Sequence, residues 1–427
     1  MTTATSASKL DSSATRARRL RWAVPAAVAL AVGTAFAIPT LASANGGALP
    51  ETTPAQLLAD LAEAEPFAMS GTAIYTARLG LPEIPAEMTG GADPLNLISG
   101  SSTIRVWTDG QERSRASLLG ATSEYSVVTD GLEAWTYSSA KNEVTHISLD
   151  EAAQAAVAAK EAEHKAALDA QDVPTPIEFA EQVLADADEH SEVTLGDDVV
   201  VAGRDAYQLV LTPRTDETLV AKIVVAIDGE TLLPLSVQTW STQDSQAPAL
   251  ELAFTDVSLT APSDAALAFS TPAGATVTEK VISGADLAEA GDPSAIPTLP
   301  TVPDGAAPVL PEGVTVTGEG WATIVEREGA DVAGLIAGDP AAVDAELADS
   351  PWAGRPAEDL AEEFKGDGSG FSIDSSALYN QLTTQVEGGR LLTSALLSVL
   401  VTDDGRVFVG SVPTDALLAA AGLSGDA

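Results

Sequence analysis

Three short patterns in this 427-residue chain contain residue types that can do chemistry. Residues 138–141 read Ser-Ser-Ala-Lys, the spacing at which a lysine can activate a nucleophilic serine. Glu161 and His164 lie about one helical turn apart and carry side chains that bind metal ions. Residues 367–370 read Asp-Gly-Ser-Gly, which resembles the beginning of a calcium-binding loop.

Each pattern lacks the partners that its chemistry needs. The Ser-x-x-Lys stretch lies in a polar turn without the other motifs of penicillin-recognising enzymes. Glu161 and His164 have no second acidic and histidine pair beside them, so a solvated helix face is the better interpretation. The Asp-Gly-Ser-Gly stretch is not continued by the acidic spacing of a calcium loop, which favours a flexible turn.

The longer catalytic signatures are also missing from the sequence. It contains no Gly-x-Ser-x-Gly elbow, no Gly-x-x-x-x-Gly-Lys phosphate loop and no His-Glu-x-x-His helix. No pair of carboxylates stands out for glycoside chemistry. We therefore predict no catalytic residues, no metal and no cofactor, and an enzyme is only the third hypothesis.

The composition excludes further classes of function. The chain has 21 Lys and Arg residues against 62 Asp and Glu residues, a formal net charge of −41, with three histidines and no cysteine. A nucleic-acid partner is excluded because phosphate binding needs a clustered basic surface. The lack of cysteine excludes disulfides, thiolate catalysis and Cys-ligated zinc. A hydrophobic content of 45% is sufficient for a buried core.

Residues 1–44 have the pattern of an export signal. A basic segment precedes an uncharged apolar run from 22 to 41, and Ala42-Ser43-Ala44 follows as a cleavable small-residue site. An uncleaved transmembrane helix is the alternative, since about 20 apolar residues can cross a bilayer. With either outcome, the sequence predicts that the rest of the chain is exported to the extracytoplasmic side of the membrane.

Residues 45–282 are predicted to form a mainly β domain. A helix should begin at Pro54 with Thr53 as its N-cap, and Ala-rich helices should occupy 150–187. Elsewhere apolar and polar residues alternate, and Asp-Gly dipeptides at 109–110, 130–131 and 228–229 mark hairpin turns. This pattern predicts an antiparallel sheet with one apolar face.

The remaining sequence divides into a linker and a smaller unit. Residues 283–312 contain six prolines and no aromatic or basic residue, which is typical of an extended acidic tether. Residues 313–427 are predicted to be a small α+β region, with a strand over 314–327 and a short helix over 341–347. The sequence does not decide whether this region docks on the main sheet.

Aromatic and aliphatic side chains are concentrated on the predicted strands. One interpretation is an ordinary sheet core. The other is a hollow for an acyl chain, formed by a strongly curved sheet that the 150–187 helices close on one side. The residues that would line this hollow are Trp107, Trp135, Tyr137, Leu209, Leu211, Ile223, Val225, Leu252 and Phe254.

An ordered set of segments resembles a known superfamily. Residues 124–137 are similar to the strand–Asp-Gly–strand segment of the periplasmic lipoprotein carrier LolA, and residues 207–213 and 228–229 to its later strands. Residues 269–277, Phe-Ser-Thr-Pro-Ala-Gly-Ala-Thr-Val, resemble its closing segment. Residues 199–207 are also similar to RseB-type regulators, which share the fold. The resemblance covers about 54–282.

This resemblance implies an incomplete, highly curved antiparallel β-barrel, with helices covering its concave face and acyl chains bound between. The predicted function is therefore an extracytoplasmic carrier that binds a lipid acyl chain or a lipoprotein. The alternative is an RseB-like regulator that binds a membrane-anchored anti-sigma factor or another envelope protein. Two departures stand against a carrier with the same lid chemistry. The 108–110 turn offers no equivalent of the carrier's lid arginine, and residues 313–427 have no counterpart in the carrier.

Overall fold

The computed structural model of the protein describes most of the chain between Leu49 and Leu423. Residues 1–48, which include the proposed export signal, lie outside this part, as do most of the linker and the predicted 341–347 helix. The described residues are 49–81, 91–170, 176–284, 313–329 and 382–423.

The prediction of a mainly β protein is confirmed, since two sheets account for most of the described residues. In the first part of the chain the elements are α1 (Pro54–Glu63), β1 (Met69–Ala77), a 3₁₀ turn (Pro94–Ile98), β2 (Gly100–Thr108), β3 (Arg113–Leu119), β4 (Glu124–Asp130), β5 (Glu133–Ser138), β6 (Glu143–Leu149), α2 (Glu151–Ala170) and α3 (Pro176–Asp188). The next are β7 (Ser191–Leu195), β8 (Val199–Val201), β9 (Arg204–Pro213), β10 (Val220–Asp228), β11 (Pro234–Ser241), β12 (Leu250–Ser258), α4 (Asp264–Leu267) and β13 (Thr276–Ile282).

These thirteen strands form one sheet in the order β13-β6-β5-β4-β3-β2-β1-β12-β11-β10-β9-β7, and β8 pairs with β9. The path ends at β13 and at β7, so the described strands do not close into a barrel. The neighbouring strands pair antiparallel as predicted, except that β13 runs parallel to β6. The sheet is therefore mixed, and the purely antiparallel prediction is wrong at this edge. Parallel pairing arises because the chain returns to β6 after crossing the sheet instead of turning back beside it.

Local sequence signals explain the beginning of α1 and the turn between β2 and β3. Thr53 is the N-cap of α1, and its Oγ1 accepts a hydrogen bond from the Gln56 backbone N at 3.2 Å. Gly110 has a φ of +72°, and a Cβ at this position would lie 2.5 Å from the backbone of Phe67. Only glycine fits this turn, because the turn needs both the left-handed conformation and the close approach.

The second sheet lies in the C-terminal part of the chain. Its strands are β14 (Val314–Thr317), β15 (Ile324–Arg327), β16 (Thr384–Val386), β17 (Gly389–Thr393), β18 (Ser398–Thr402) and β19 (Val407–Gly410), in the order β14-β15-β19-β18-β17-β16. The strand predicted over 314–327 is two strands, because Gly318 and Gly320 adopt positive φ between them. Helix α5 (Thr414–Ala420) covers one face, where Phe408, Leu400 and Leu417 are fully buried.

The C-terminal sheet docks on the ends of β10 and β11, which decides the question that the sequence left open. The Ser411 carbonyl accepts hydrogen bonds from the Leu219 backbone N at 2.8 Å and from Thr218 Oγ1 at 2.9 Å. Ser241 Oγ donates to the Ala395 carbonyl at 2.6 Å. Thr218 and Ser241 are buried, so these bonds satisfy polar groups that would otherwise be costly to bury.

Candidate functional site

The register of the large sheet assigns each side chain to one of two faces. Directly paired residues share a face, and successive residues on a strand alternate between faces. Leu252 pairs with Tyr75, and both share a face that we call the Tyr75 face. Trp135 pairs with Val128, which pairs with Arg115, and these residues share the opposite face, which we call the Trp135 face.

The Tyr75 face is apolar over most of the sheet. No residue on this face is charged in strands β1 to β4, β7 and β10 to β12, all of which the structure describes in full. On β9 the face carries Tyr207, Leu209 and Leu211, with Asp205 at its margin where β9 pairs with β8. Such an uncharged surface is unexpected by chance in a chain with 62 acidic residues.

One half of the Tyr75 face is covered more completely than the other within the described structure. On β1 to β3, Tyr75, Ile104 and Leu118 are buried beneath Leu97, whose carbonyl accepts a hydrogen bond from Tyr75 Oη at 2.6 Å. On β9 to β12 most apolar side chains of this face are partly exposed instead, and Ile227 of β10 is the buried exception among its paired residues. The partly exposed residues include six of the nine that the sequence predicted, namely Leu209, Leu211, Ile223, Val225, Leu252 and Phe254.

The helices lie toward the edge strands of the sheet. Helices α1 and α3 pack on each other, and both contact β7. The segment that precedes α1 is held to the sheet, because Tyr207 Oη donates to the Pro50 carbonyl at 2.9 Å. Helix α2 contacts β6 at the other end of the sheet. The partly exposed strands β9 to β12 therefore lie beside β7, the edge strand that α1 and α3 contact.

Three of the four predicted aromatic residues, Trp107, Trp135 and Tyr137, do not lie on the Tyr75 face. Trp107 pairs with Arg115 on the Trp135 face, and Tyr137 pairs with Ser126 on the same side. Strand pairing therefore separates Trp107, Trp135 and Tyr137 from the six predicted residues that lie on the Tyr75 face. Alternation shows which residues of one strand share a face, but the pairing between strands decides which face that is.

The Trp135 face binds the segment that follows β12. Trp135 stacks on Phe269 with 5.6 Å between ring centroids and on His146 with 4.9 Å. Arg113 pairs with Asp264 at 3.0 Å, and Arg115 donates to the Ala268 carbonyl at 2.8 Å. Trp135, Arg113 and Arg115 therefore hold residues 264–269 against the sheet.

The sequence interpretation missed several residues of the Tyr75 face. Val237 and Val193 extend the partly exposed surface, and Tyr75, Ile104 and Leu118 form its covered part. The alternation of apolar and polar residues in β11 and β1 could have identified Val237 and Tyr75. The sequence could not have predicted that Leu97 covers this part of the face, because Leu97 lies in a turn 22 residues from Tyr75.

The three short chemical patterns do not form a site in the described structure. Ser138 Oγ accepts a hydrogen bond from the Lys141 backbone N at 3.4 Å, which is a turn interaction. The side chains of Glu161 and His164 and residues 367–370 lie outside the described residues. Among the residues that are described, no group of three or more His, Asp or Glu side chains is arranged to hold a metal ion. No described helix is long and apolar enough to span a membrane.

Comparisons with known proteins give distant structural similarities only. No protein-family model and no curated protein matches the chain. A structure of MucB in complex with MucA(peri) is 16% identical over 85% of this chain and 95% of that chain, with a TM-score of 0.37. The Pseudomonas aeruginosa MucA/MucB complex is 16% identical over 86% and 95%, with a TM-score of 0.36. A LolA superfamily protein from Nitrosomonas europaea is 11% identical over 51% and 99%, with a TM-score of 0.21.

Proposed function

We propose that this protein is an extracytoplasmic carrier that binds the acyl chain of a lipid or lipoprotein on the Tyr75 face. The observation that supports this proposal most directly is the uncharged, partly exposed aliphatic surface of β9 to β12. A contiguous apolar surface that stays partly open to solvent is typical of binding sites on soluble proteins. The charge of −41 keeps the remaining exterior solvated and leaves this face as the natural site for an apolar ligand.

The size of the face fits an extended chain. Leu209, Val225, Val237 and Leu252 form one row across four strands, which spans about 14 Å at a strand spacing of about 4.8 Å. Each methylene removed from water contributes about 0.8 kcal/mol, and micromolar affinity needs about 8 kcal/mol. Burial of roughly ten methylenes is therefore sufficient. In this proposal the helices or a curved, barrel-like sheet cover the acyl chain from the other side.

Extracytoplasmic location is part of the proposal. It rests on the basic and apolar segments of residues 1–44 and on the cleavable site at Ala42-Ser43-Ala44. In this proposal the apolar face collects acyl chains at the outer surface of the membrane, where lipids and lipoproteins are released.

Lipid that co-purifies with the protein tests the proposal. We expect organic-solvent extracts of natively purified protein to contain acyl lipid in mass spectrometry. We also expect a fluorescent fatty acid to bind saturably to the delipidated protein, and unlabelled fatty acid to displace it. An extract without lipid, together with probe binding that does not saturate, would refute the carrier function.

A second candidate function is supported by the C-terminal sheet. The face of this sheet opposite α5 carries the row Val316, Val325, Val409 and Val399, and Val316 and Val325 are about 40% exposed. The charged residues on this face are arginines, Arg327 and Arg390, and none of its described positions is acidic. In an acidic protein this surface favours the RseB-like alternative, recognition of a membrane-anchored envelope protein with apolar and acidic residues.

Adjacent residues of β14 allow a matched test of this second function. Val316→Glu places a charge on the open face, whereas Thr315→Glu places the same charge on the other side of the same strand. We expect Val316→Glu to reduce recovery of a single-span membrane protein in cross-linked pull-downs at least fivefold, and Thr315→Glu to leave recovery unchanged. Equal recovery with both variants would remove this role from the C-terminal sheet.

A further inference from the structure

A cavity of about 510 Å³ lies where the two sheets meet. It is lined from the large sheet by residues that flank β7 and β9, and from the small sheet by residues around β14, β15 and the beginning of α5. This volume falls in the range of small-molecule sites, and junctions between packed units are where such sites preferentially occur. The acyl-binding proposal does not use this cavity.

The cavity has a fixed aromatic and aliphatic lining. Trp321 Nε1 donates to Ser191 Oγ at 2.8 Å, and Ser191 is buried, so the indole orientation is set by the large sheet. Ile324 adds a little apolar surface, and the fully buried Val412 packs with it in the core behind the cavity. A Cβ on Gly320 would lie 2.6 Å from the ring of His190, so glycine is needed for this approach of the two units. The lining is therefore preorganised by contacts that cross the interface.

The charges around the cavity are mainly negative. Glu189, Glu217 and Glu319 contribute to its lining, and all three are exposed. The nearby Arg214 does not balance them, because its guanidinium pairs with Asp188 and its Nε donates to the Asp188 carbonyl at 2.8 Å. An indole ring beside unbalanced carboxylates attracts organic cations, which gain cation–π and ionic interactions together.

We propose that this cavity binds an organic monocation with an apolar body, such as an arylalkylamine. The ammonium group would interact with the carboxylates of Glu189, Glu217 and Glu319, and the apolar body would pack against Trp321 and Ile324. A purely inorganic cation would leave the apolar lining unused, and an anion would be repelled by the three carboxylates.

Calorimetry with benzylamine and the full-length protein tests the proposal. Benzyl alcohol supplies the apolar body without the charge, and tetramethylammonium supplies the charge without the ring. We expect one saturable site for benzylamine with a submillimolar Kd, and at least tenfold weaker binding of both control compounds. Benzylamine binding that is no tighter than that of tetramethylammonium would reflect diffuse attraction to an acidic protein and would overturn the proposal.

Variants locate the binding in this cavity. We expect the double variant Glu217→Gln and Glu319→Gln to weaken benzylamine binding at least fivefold, because both residues are exposed and their loss leaves the fold intact. Trp321→Leu should weaken it similarly, and Trp321→Phe should restore part of the affinity. Glu65 is an exposed residue outside the cavity, so the Glu65→Gln variant should bind benzylamine with the affinity of the parent. Unchanged affinity in the glutamine double variant would refute the site.

Discussion

Replacement of Val225 by glutamate is expected to reduce the affinity of the protein for a fatty acid at least tenfold. Val225 pairs with Leu209 on one side and with Val237 on the other, in the middle of the uncharged Tyr75 face. A carboxylate at this position must lose hydration when an acyl chain covers it, and burial of an unpaired charge costs several times the 1.4 kcal/mol that a tenfold change represents. Displacement titration with a fluorescent fatty acid measures the change.

The neighbouring strand provides the matched control. Val210 of β9 is also partly exposed, but it pairs with Val224 and lies on the Trp135 side of the sheet. Val210→Glu makes the same chemical change on the opposite face, so the affinity of this variant for the fatty acid should remain within twofold of the parent value. Circular dichroism should show that both variants are folded. Equal loss of affinity in both variants would show that the ligand does not bind on the Tyr75 face.

Removal of the Asp228 carboxylate is expected to destabilise the protein by about 3 kcal/mol. Asp228 is 1% exposed and accepts two hydrogen bonds from Arg204, at 2.7 and 2.8 Å. It also accepts bonds from the backbone N and Oγ1 of Thr231 at 2.8 and 2.6 Å, which close the turn between β10 and β11. Asp228→Ala leaves these donors without their partner, and the free energy of unfolding in urea measures the loss.

Glu230 serves as the control for this prediction. It pairs with the same Arg204 at 2.9 Å, but its side chain is 83% exposed. Exposed ion pairs contribute about 0 to 1 kcal/mol, so Glu230→Ala should have a small effect. If the two alanine variants were equally stable, the buried carboxylate would not hold this turn.

The Asp228 interaction should also depend on pH. Burial by itself raises the pKa of Asp228, but the hydrogen bonds from Arg204 and Thr231 outweigh it and hold the pKa below the ordinary value of 3.8. A carboxylate whose pKa is lower in the folded than in the unfolded state stabilises the fold at pH values above the unfolded-state pKa. This stabilisation is lost as the pH falls through the folded-state pKa. The difference in unfolding free energy between the parent and Asp228→Ala should therefore shrink below about pH 4.

The Asp228-Gly229 pair shows what a local sequence pattern can predict and what it cannot. The dipeptide correctly predicts a hairpin between β10 and β11. However, the residue with positive φ in this turn is Leu232, at +60°, and the Asp228 side chain is buried against Arg204 of another strand. A dipeptide preference describes the local backbone, whereas the partner of the side chain lies 24 residues away.

Local interactions of the sequence determined the secondary structure and the existence of an apolar face. Thr53 and Pro54 begin α1, Asp-Gly pairs end strands, and the alternation in β9, β10 and β12 separates apolar from polar side chains. These features depend on residues within a few positions of one another, so propensity and periodicity are sufficient to predict them.

Only the tertiary structure decided which alternating residues share a face and where the two sheets meet. The register from β2 through β5 places Trp107, Trp135 and Tyr137 opposite the aliphatic residues, and β13 pairs with a strand more than 130 positions earlier. The interface cavity likewise joins Trp321 to Ser191. Pairings over such separations are chosen by packing and hydrogen bonding of the whole chain, and a shift of one residue would reverse every assignment of face.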